Sequence, residues 1–135
     1  MKKLLVLLAL TLVSWGQDVR FRALDIYVDA GADALAVYQI EILAKNALIA
    51  GVEGGEPEPY KKPPYYDTKA LQGGRIVLGA FTTNDKAPRG KVRVARIHMM
   101  EQGNATYLAK VVVAAKPGGA RIAAKVEVIP VGEKR

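Results

Sequence analysis

Apolar residues recur at every second position along most of this chain, and no stretch after residue 16 carries a convincing helical period. A period of two commits a chain to strands that bury one face, because successive side chains of an extended backbone point to opposite sides. Leu24, Ile26 and Val28 alternate with Asp25 and Tyr27, and Tyr38, Ile40 and Ile42 alternate with Gln39 and Glu41. Asp29 to Asp33 reads as a turn between them, with Gly31 free to take positive φ and Asp29 and Asp33 as Asx caps rather than a calcium loop. The spacing predicts that these two strands pair with each other.

Leu48 to Val52 reads as a short third strand, closed by Gly54-Gly55. Arg75 to Thr82 is nearly continuous in apolar residues, which predicts a central strand buried on both faces. In Lys91 to Met100 the inward set shifts from Val92 and Val94 to Ala95, Ile97 and Met99. That slip predicts a β-bulge at Val94-Ala95, since one extra residue reverses the facing set. Glu101 to Asn104 reads as a turn, after which Tyr107, Ala109, Val111 and Val113 form an inward set. Lys116 to Gly119 is a hairpin turn, and Ile122, Ala124, Val126 and Val128 belong to the last strand. Short strands at regular intervals, punctuated by Gly and Pro, predict an all-β fold: a single antiparallel β-sandwich, jelly-roll-like, of about 7–9 strands.

Residues 56–72 interrupt the pattern. Pro57, Pro59, Pro63 and Pro64 cannot donate ladder hydrogen bonds, so this stretch leaves the sheet. It carries Tyr60, Tyr65 and Tyr66, half of the six tyrosines, beside Lys61 and Lys62. Flat, amphipathic rings on a long loop suit contact with a protein partner or a sugar face. The same residues also suit a lid folded over a sheet edge. Both readings stand on the sequence alone.

The chain begins with Met1-Lys2-Lys3 and an uncharged apolar run from Leu4 to Val13. Ten residues are too few to span a membrane, which takes about 20, and match the core of a secretory signal peptide. Ser14 and Gly16 supply the small residues that a signal peptidase requires. The expected organisation is therefore a signal peptide over 1–16, cleaved between Gly16 and Gln17, a sandwich domain over 17–131, and a frayed tail over 132–135. The product would be exported, to the periplasm or beyond, with no stable membrane span left after cleavage.

The remaining chemistry is sparse. Cleavage removes Lys2 and Lys3, leaving 18 basic against 13 acidic residues, so the net charge of +7 falls to +5. Those charges are scattered rather than gathered on a stripe, which argues against a nucleic-acid partner. There is no cysteine, so an exported fold would rest on burial and hydrogen bonding without disulfides, and thiolate chemistry is absent. The one histidine, His98, occupies a strand position that faces solvent and has no second imidazole to complete a metal or catalytic constellation. Glu41 and Glu127 fit solvent-facing strand positions, and Glu53, Glu56 and Glu58 sit among turn residues. No catalytic, cofactor-binding or metal-binding set is assigned. Asn104-Ala105-Thr106 matches a glycosylation acceptor, a match common by chance.

Asp25 to Gly31, followed by Ala34 to Ile42, resembles the opening of cohesin-like domains, where a V-D-x-G turn leads into L-A-A-[FY]-Q-[FL]-[ED]-[LI]. Gly74 to Phe81 and Gly90 to Ile97 resemble the later core strands of those domains, so the likeness runs from about residue 21 to 130. The resemblance implies a nine-stranded jelly-roll-like sandwich, related in fold to certain carbohydrate-binding modules. It also implies a protein partner of the dockerin type, since cohesins bind dockerins to assemble polysaccharide-degrading complexes. The sequence thus supports an exported, non-catalytic binding module that uses a sheet face or the 56–72 loop. A polysaccharide-binding module built on the loop tyrosines, or a structural envelope protein, are the alternatives.

Overall fold

The computed structural model describes residues 18–83 and 85–132. The expected signal peptide, its Gly16–Gln17 cleavage point and tail residues Glu133 to Arg135 lie outside them. Five strands carry the fold: β1 (Val19–Ala34), β2 (Val37–Gly54), β3 (Arg75–Phe81), β4 (Arg89–Ala115) and β5 (Lys125–Pro130). They pair antiparallel in the order β3-β2-β4-β1-β5.

At 18 and 27 residues, β2 and β4 far exceed the usual strand of about 5–6 residues, because each turns a corner. The pairing passes from Lys45↔Thr106 to Ala47↔Glu101, and at that step Asn46 and Gly103 take φ values of 60° and 68°. Glycine reaches this left-handed region without strain, and asparagine tolerates it better than most residues. Beyond the corner the ladder folds back on itself. Ile40 and Ile42 from before it share one buried cluster with Ile49, Ile97 and Met99 from after it, and with Leu24, Ile26, Val28 and Leu78. The result is an antiparallel β-sandwich. One layer holds β3, the first arm of β2 and the second arm of β4. The other holds β5, β1, the first arm of β4 and the second arm of β2.

Several sequence expectations change, among them the start of the last strand, which begins at Lys125 so that Ile122 and Ala124 precede it. Leu48 to Val52 is not a separate strand but the second arm of β2, and the turn expected at Glu101 to Asn104 is a corner inside the continuous strand β4. β1 and β2 do not pair with each other: β1 lies between β4 and β5, and β2 between β3 and β4. The Leu35-Ala36 link carries the chain from one layer to the other, held by Leu35 N–H to Pro88 O (2.7 Å) and Ala36 N–H to Ala115 O (2.9 Å). Finally, β3 is an edge strand, not a central one. Its buried residues, Ile76 and Leu78, alternate with less buried ones, so the apolar run arises because Val77 and Phe81 face outward.

Other expectations match the fold. Ile26 pairs with Ala95 and Tyr27 with Arg93, which leaves Val94 as the extra residue of a bulge, with Val94 and Ala95 both fully buried. Gly31 has φ 62° and donates its N–H to Asp29 Oδ1 at 2.9 Å, an Asx turn. Glu101, by contrast, is almost wholly buried at the corner. Its Oε1 lies 3.3 Å from Arg22 Nε and 3.6 Å from Arg20 Nη2, and its Oε2 accepts from the Tyr107 hydroxyl.

Tyr38 and Tyr60 meet edge to face in the core, with ring centroids 5.2 Å apart. The Tyr60 hydroxyl donates to Leu35 O at 2.7 Å, whereas the Tyr38 hydroxyl finds no hydrogen-bond partner among the described residues. A buried hydroxyl without a partner opposes folding. Tyr38→Phe is therefore expected to hold the unfolding free energy or raise it by up to about 1 kcal/mol, read in urea titration.

Candidate functional site

The outer face of the β3–β2–β4 layer follows from cross-strand register. Val37 lies opposite Phe81, Gln39 opposite Gly79 and Val113, Glu41 opposite Val77 and Lys110, and Leu43 opposite Arg75 and Leu108. The alternate rows, such as Ile40 with Leu78 and Val111, face the core. The outward rows are unusually apolar. Phe81 is 70% exposed and Leu108 71%, with Leu43 and Val112 also exposed. Scattered apolar residues are normal on a surface, but several gathered on one sheet face are not.

The 56–72 loop completes this face. Its base is fixed by Gly55 N–H to Tyr60 O (2.6 Å) and Glu56 N–H to Arg93 O (2.9 Å). Its middle adds to the edge of β3, with Tyr65 and Gly79 exchanging both backbone hydrogen bonds (2.8 and 3.0 Å). Its end is held on β2 by Gln72 N–H to Ile49 O (2.7 Å). The loop therefore covers the β3 edge, as the lid reading expected, and still presents residues outward.

Its five singled-out residues separate. Tyr60 is buried in the core against Tyr38, so it anchors the loop and is out of reach of a partner. Tyr66 is half-buried and packs against the core. Tyr65 is 75% exposed and stacks on Phe81, with centroids 6.5 Å apart and planes within 11°. Lys61 and Lys62 are exposed, and Lys61 Nζ is 3.0 Å from Glu58 Oε2. The stacked Tyr65–Phe81 pair stands between two open grooves of about 540 and 460 Å3. Phe81, Leu108 and Val112 were missed at the sequence level. The signal was there: with Tyr107, Ala109 and Val111 inward, Leu108 and Val112 had to be outward apolar residues. Val113, expected inward with them, lies opposite Gln39 on the outer face because β4 carries an extra residue at Val112.

A charged group sits among these residues. Glu41 Oε2 is 2.8 Å from Arg75 Nε and 2.6 Å from Arg75 Nη2, and Lys110 Nζ lies 3.4 Å from Oε1. The hydrogen bond from Arg75 is the main reason the Glu41 carboxyl is held below its ordinary value of 4.5, with the Arg75 and Lys110 charges adding to it against partial burial. A carboxyl lowered in the native state contributes stability above its ordinary pKa and loses it as pH falls through the lowered value. The urea midpoint should fall as pH drops from about 6 to about 3, and in Glu41→Gln this acid-side loss should be shallower.

The opposite sheet face mixes ion pairs with exposed apolar residues of its own: Phe21 is 77% exposed, in the same outward row of β1 as Asp25, and Val19 and Leu48 are exposed near it. Arg96 holds Asp25 through Nε at 2.7 Å and Nη2 at 3.3 Å. His98 faces solvent, as its strand parity predicts, with Nε2 paired to the Glu53 carboxylate. That bond is the first cause of a lowered Glu53 pKa. Among the described residues no cluster of three or more His, Asp or Glu side chains is placed to hold a metal ion.

No protein-family model matches this sequence, and no curated protein matches it. The fold, however, superposes on the non-cellulosomal cohesin of the hyperthermophilic archaeon Archaeoglobus fulgidus, with a TM-score of 0.57 over 76% of this chain and 72% of that one at 11% identity. The fold is cohesin-like. A second match is a chain from the crystal structure of the CaDoc0917–CaCohA2 complex at pH 5.5, with a TM-score of 0.59, 12% identity, and 78% and 82% of the two chains covered. At such identities the likeness is one of fold. Within that cohesin-like fold, the loop at Tyr65 extends the β3–β2–β4 layer by one bridge at its β3 edge.

Proposed function

We propose that this chain is an exported, non-catalytic module of the cohesin-like type that binds a protein partner through the outer face of β3, β2 and β4. The observation that carries this reading is the gathering of Tyr65, Phe81, Leu108, Val112 and Leu43 on one rigid sheet face. Exposed aromatic and aliphatic anchors around a few charged groups are the composition of a protein-binding patch. Arg75, Glu41 and Lys110 would set orientation there rather than supply most of the affinity. The match to a chain taken from a two-component complex supports the protein partner. Export rests on the leader, with its basic start, short apolar core and small residues at Ser14 and Gly16.

The test is retention of exported proteins on the immobilised leaderless chain. Phe81→Ala combined with Leu108→Ala removes two exposed anchors that the core does not use, so folding should be preserved. Each anchor that acts as a hot spot is worth at least about 2 kcal/mol, so the pair should weaken binding by roughly 1,000-fold. Equal retention on wild-type and doubly substituted columns would exclude this face.

A second reading has its own support. The stacked Tyr65–Phe81 pair forms an exposed aromatic platform of the kind that sugar rings stack upon. A glycan array separates the two readings. Sugar binding lost in Tyr65→Ala favours a carbohydrate ligand, and a blank array with a retained protein favours the first.

A further inference from the structure

We propose that the open edge of β4 pairs with the same edge of a second copy of this chain, joining two β3–β2–β4 layers into one continuous sheet. The hydrogen-bonding direction along the layer can be followed strand by strand. Gly79 gives both its backbone groups to Tyr65, away from β2. Gln39, opposite Gly79, therefore directs its own toward β4, and by alternation so do Glu41 and Leu43. Ala44, one residue out of phase, donates to Gly74 O on the β3 side, as this parity requires.

Lys110 and Leu108, opposite Glu41 and Leu43, point back toward β2. Tyr107, Ala109 and Val111 then direct their N–H and C=O groups to the other side. There, no described strand pairs with β4. The open stretch ends at Val112, where the β2–β4 register slips, and beyond it the Ala114 carbonyl on the same side accepts from Ile122 N–H at 3.0 Å.

The exposed groups are self-complementary. A two-fold axis at Ala109 sets Ala109 against Ala109 of the second copy, and Tyr107 against its Val111, each pair exchanging both backbone hydrogen bonds. On the outer face Leu108 meets Lys110 of the second copy, so the leucine packs on the lysine stem and no like charges face each other. Lys110 is the single charge between Ala105 and Val111, and it is already drawn to Glu41. Sheet edges that stay single are blunted by proline, by unpaired lysine or by a covering loop. The β3 edge has such a cover at Gly79 in the Tyr65 segment, and the β4 edge has one at Ala114 and Ala115 in the Arg121–Ile122 segment, which leaves Tyr107 to Val111 uncovered among the described residues. Pairing there would set two copies of the outer face side by side.

The test uses the leaderless chain, whose fold lies within the described residues, in sedimentation equilibrium from about 10 μM to 1 mM, a span of Kd suited to a short edge interface. The mass should double with concentration. Hydrogen exchange at Tyr107, Ala109 and Val111 should slow with it. Ala109→Pro removes an N–H that points away from β2, so the monomer should keep its urea midpoint while association is lost. Leu108→Lys places lysines opposite one another and should weaken association roughly tenfold, relieved by salt, whereas Leu108→Glu should tighten it. A monomer throughout the range would overturn the proposal. So would a dimer that survives Ala109→Pro with the three amides unprotected. If Ala109→Pro fails to fold, the opposite effects of lysine and glutamate at 108 decide. None of these readouts involves the protein partner, so this inference and the binding reading fail separately.

Discussion

Tyr60→Ala should destabilise the domain by about 3–5 kcal/mol, the range for truncating a large buried aromatic. Tyr60 is the one loop side chain that reaches the centre of the core. It is 2% exposed, stands edge-on to Tyr38, and donates its hydroxyl to Leu35 O, in the link that joins the two layers. Burial pushes its phenol up to about 12, in keeping with a neutral donor at any physiological pH. Truncation therefore opens a cavity, strands the Leu35 carbonyl and releases the base of the loop together. Tyr60→Phe keeps the ring and should cost only about 1 kcal/mol, the worth of the hydrogen bond. Urea titrations of both variants check the pair. Equal losses would mean that the hydroxyl, not the packing, anchors the loop, and a loss below 1 kcal/mol for alanine would mean that the loop is not anchored there.

Gly55→Ala, like Gly54→Ala beside it, should be among the most damaging glycine-to-alanine changes in the described residues, costing about 3 kcal/mol or more, at the upper end of overpacking effects. A Cβ at Gly55 would lie 2.2 Å from Arg93 O and 2.6 Å from Val94 C. Both are backbone atoms at the β4 bulge, so no side-chain rotation relieves the clash. Its neighbour Gly54 is equally confined, with Lys61 O only 1.8 Å from the position of an added Cβ. The two glycines let the loop leave β2 while touching β4 and its own return. Gly51 provides the control, since nothing lies within 4 Å of an added Cβ there. Gly51→Ala should change stability by no more than about 0.5 kcal/mol. Urea midpoints and soluble yield of the two variants measure the contrast, and similar midpoints would show that the loop base yields more easily than its contacts indicate.

Much of the architecture was legible because side-chain direction is a local property. Strand parity placed Ile26, Ile40, Ile97 and Met99 inward, and the phase slip at Val94-Ala95 located a bulge that two strands confirm. Partner choice is not local. Nothing near Leu24 or Ile40 says that β4, rather than the next strand, lies beside each. The corner at Asn46 and Gly103 is likewise made by two segments far apart in sequence, and a glycine in a polar stretch reads equally well as a turn. Glu101 shows the same limit, since Arg20 and Arg22 reach it from the opposite end of the chain.

The site was half legible. Proline content marked the loop, but Tyr60 and Tyr65 have similar surroundings in sequence and opposite fates in space. Phe81 was hidden because β3 reads as a fully buried run until β2 is seen on one side only. The resemblance to cohesin-like domains held at the level of fold.

The central claim is that the outer face of β3, β2 and β4 is where this cohesin-like module binds protein. The most direct measurement is mass spectrometry of proteins retained by the immobilised chain from Gln17 onward and by its Phe81→Ala, Leu108→Ala variant. The account predicts a protein held by the first and lost from the second, with both chains unfolding at the same urea concentration. Identical retained sets on the two columns would contradict it.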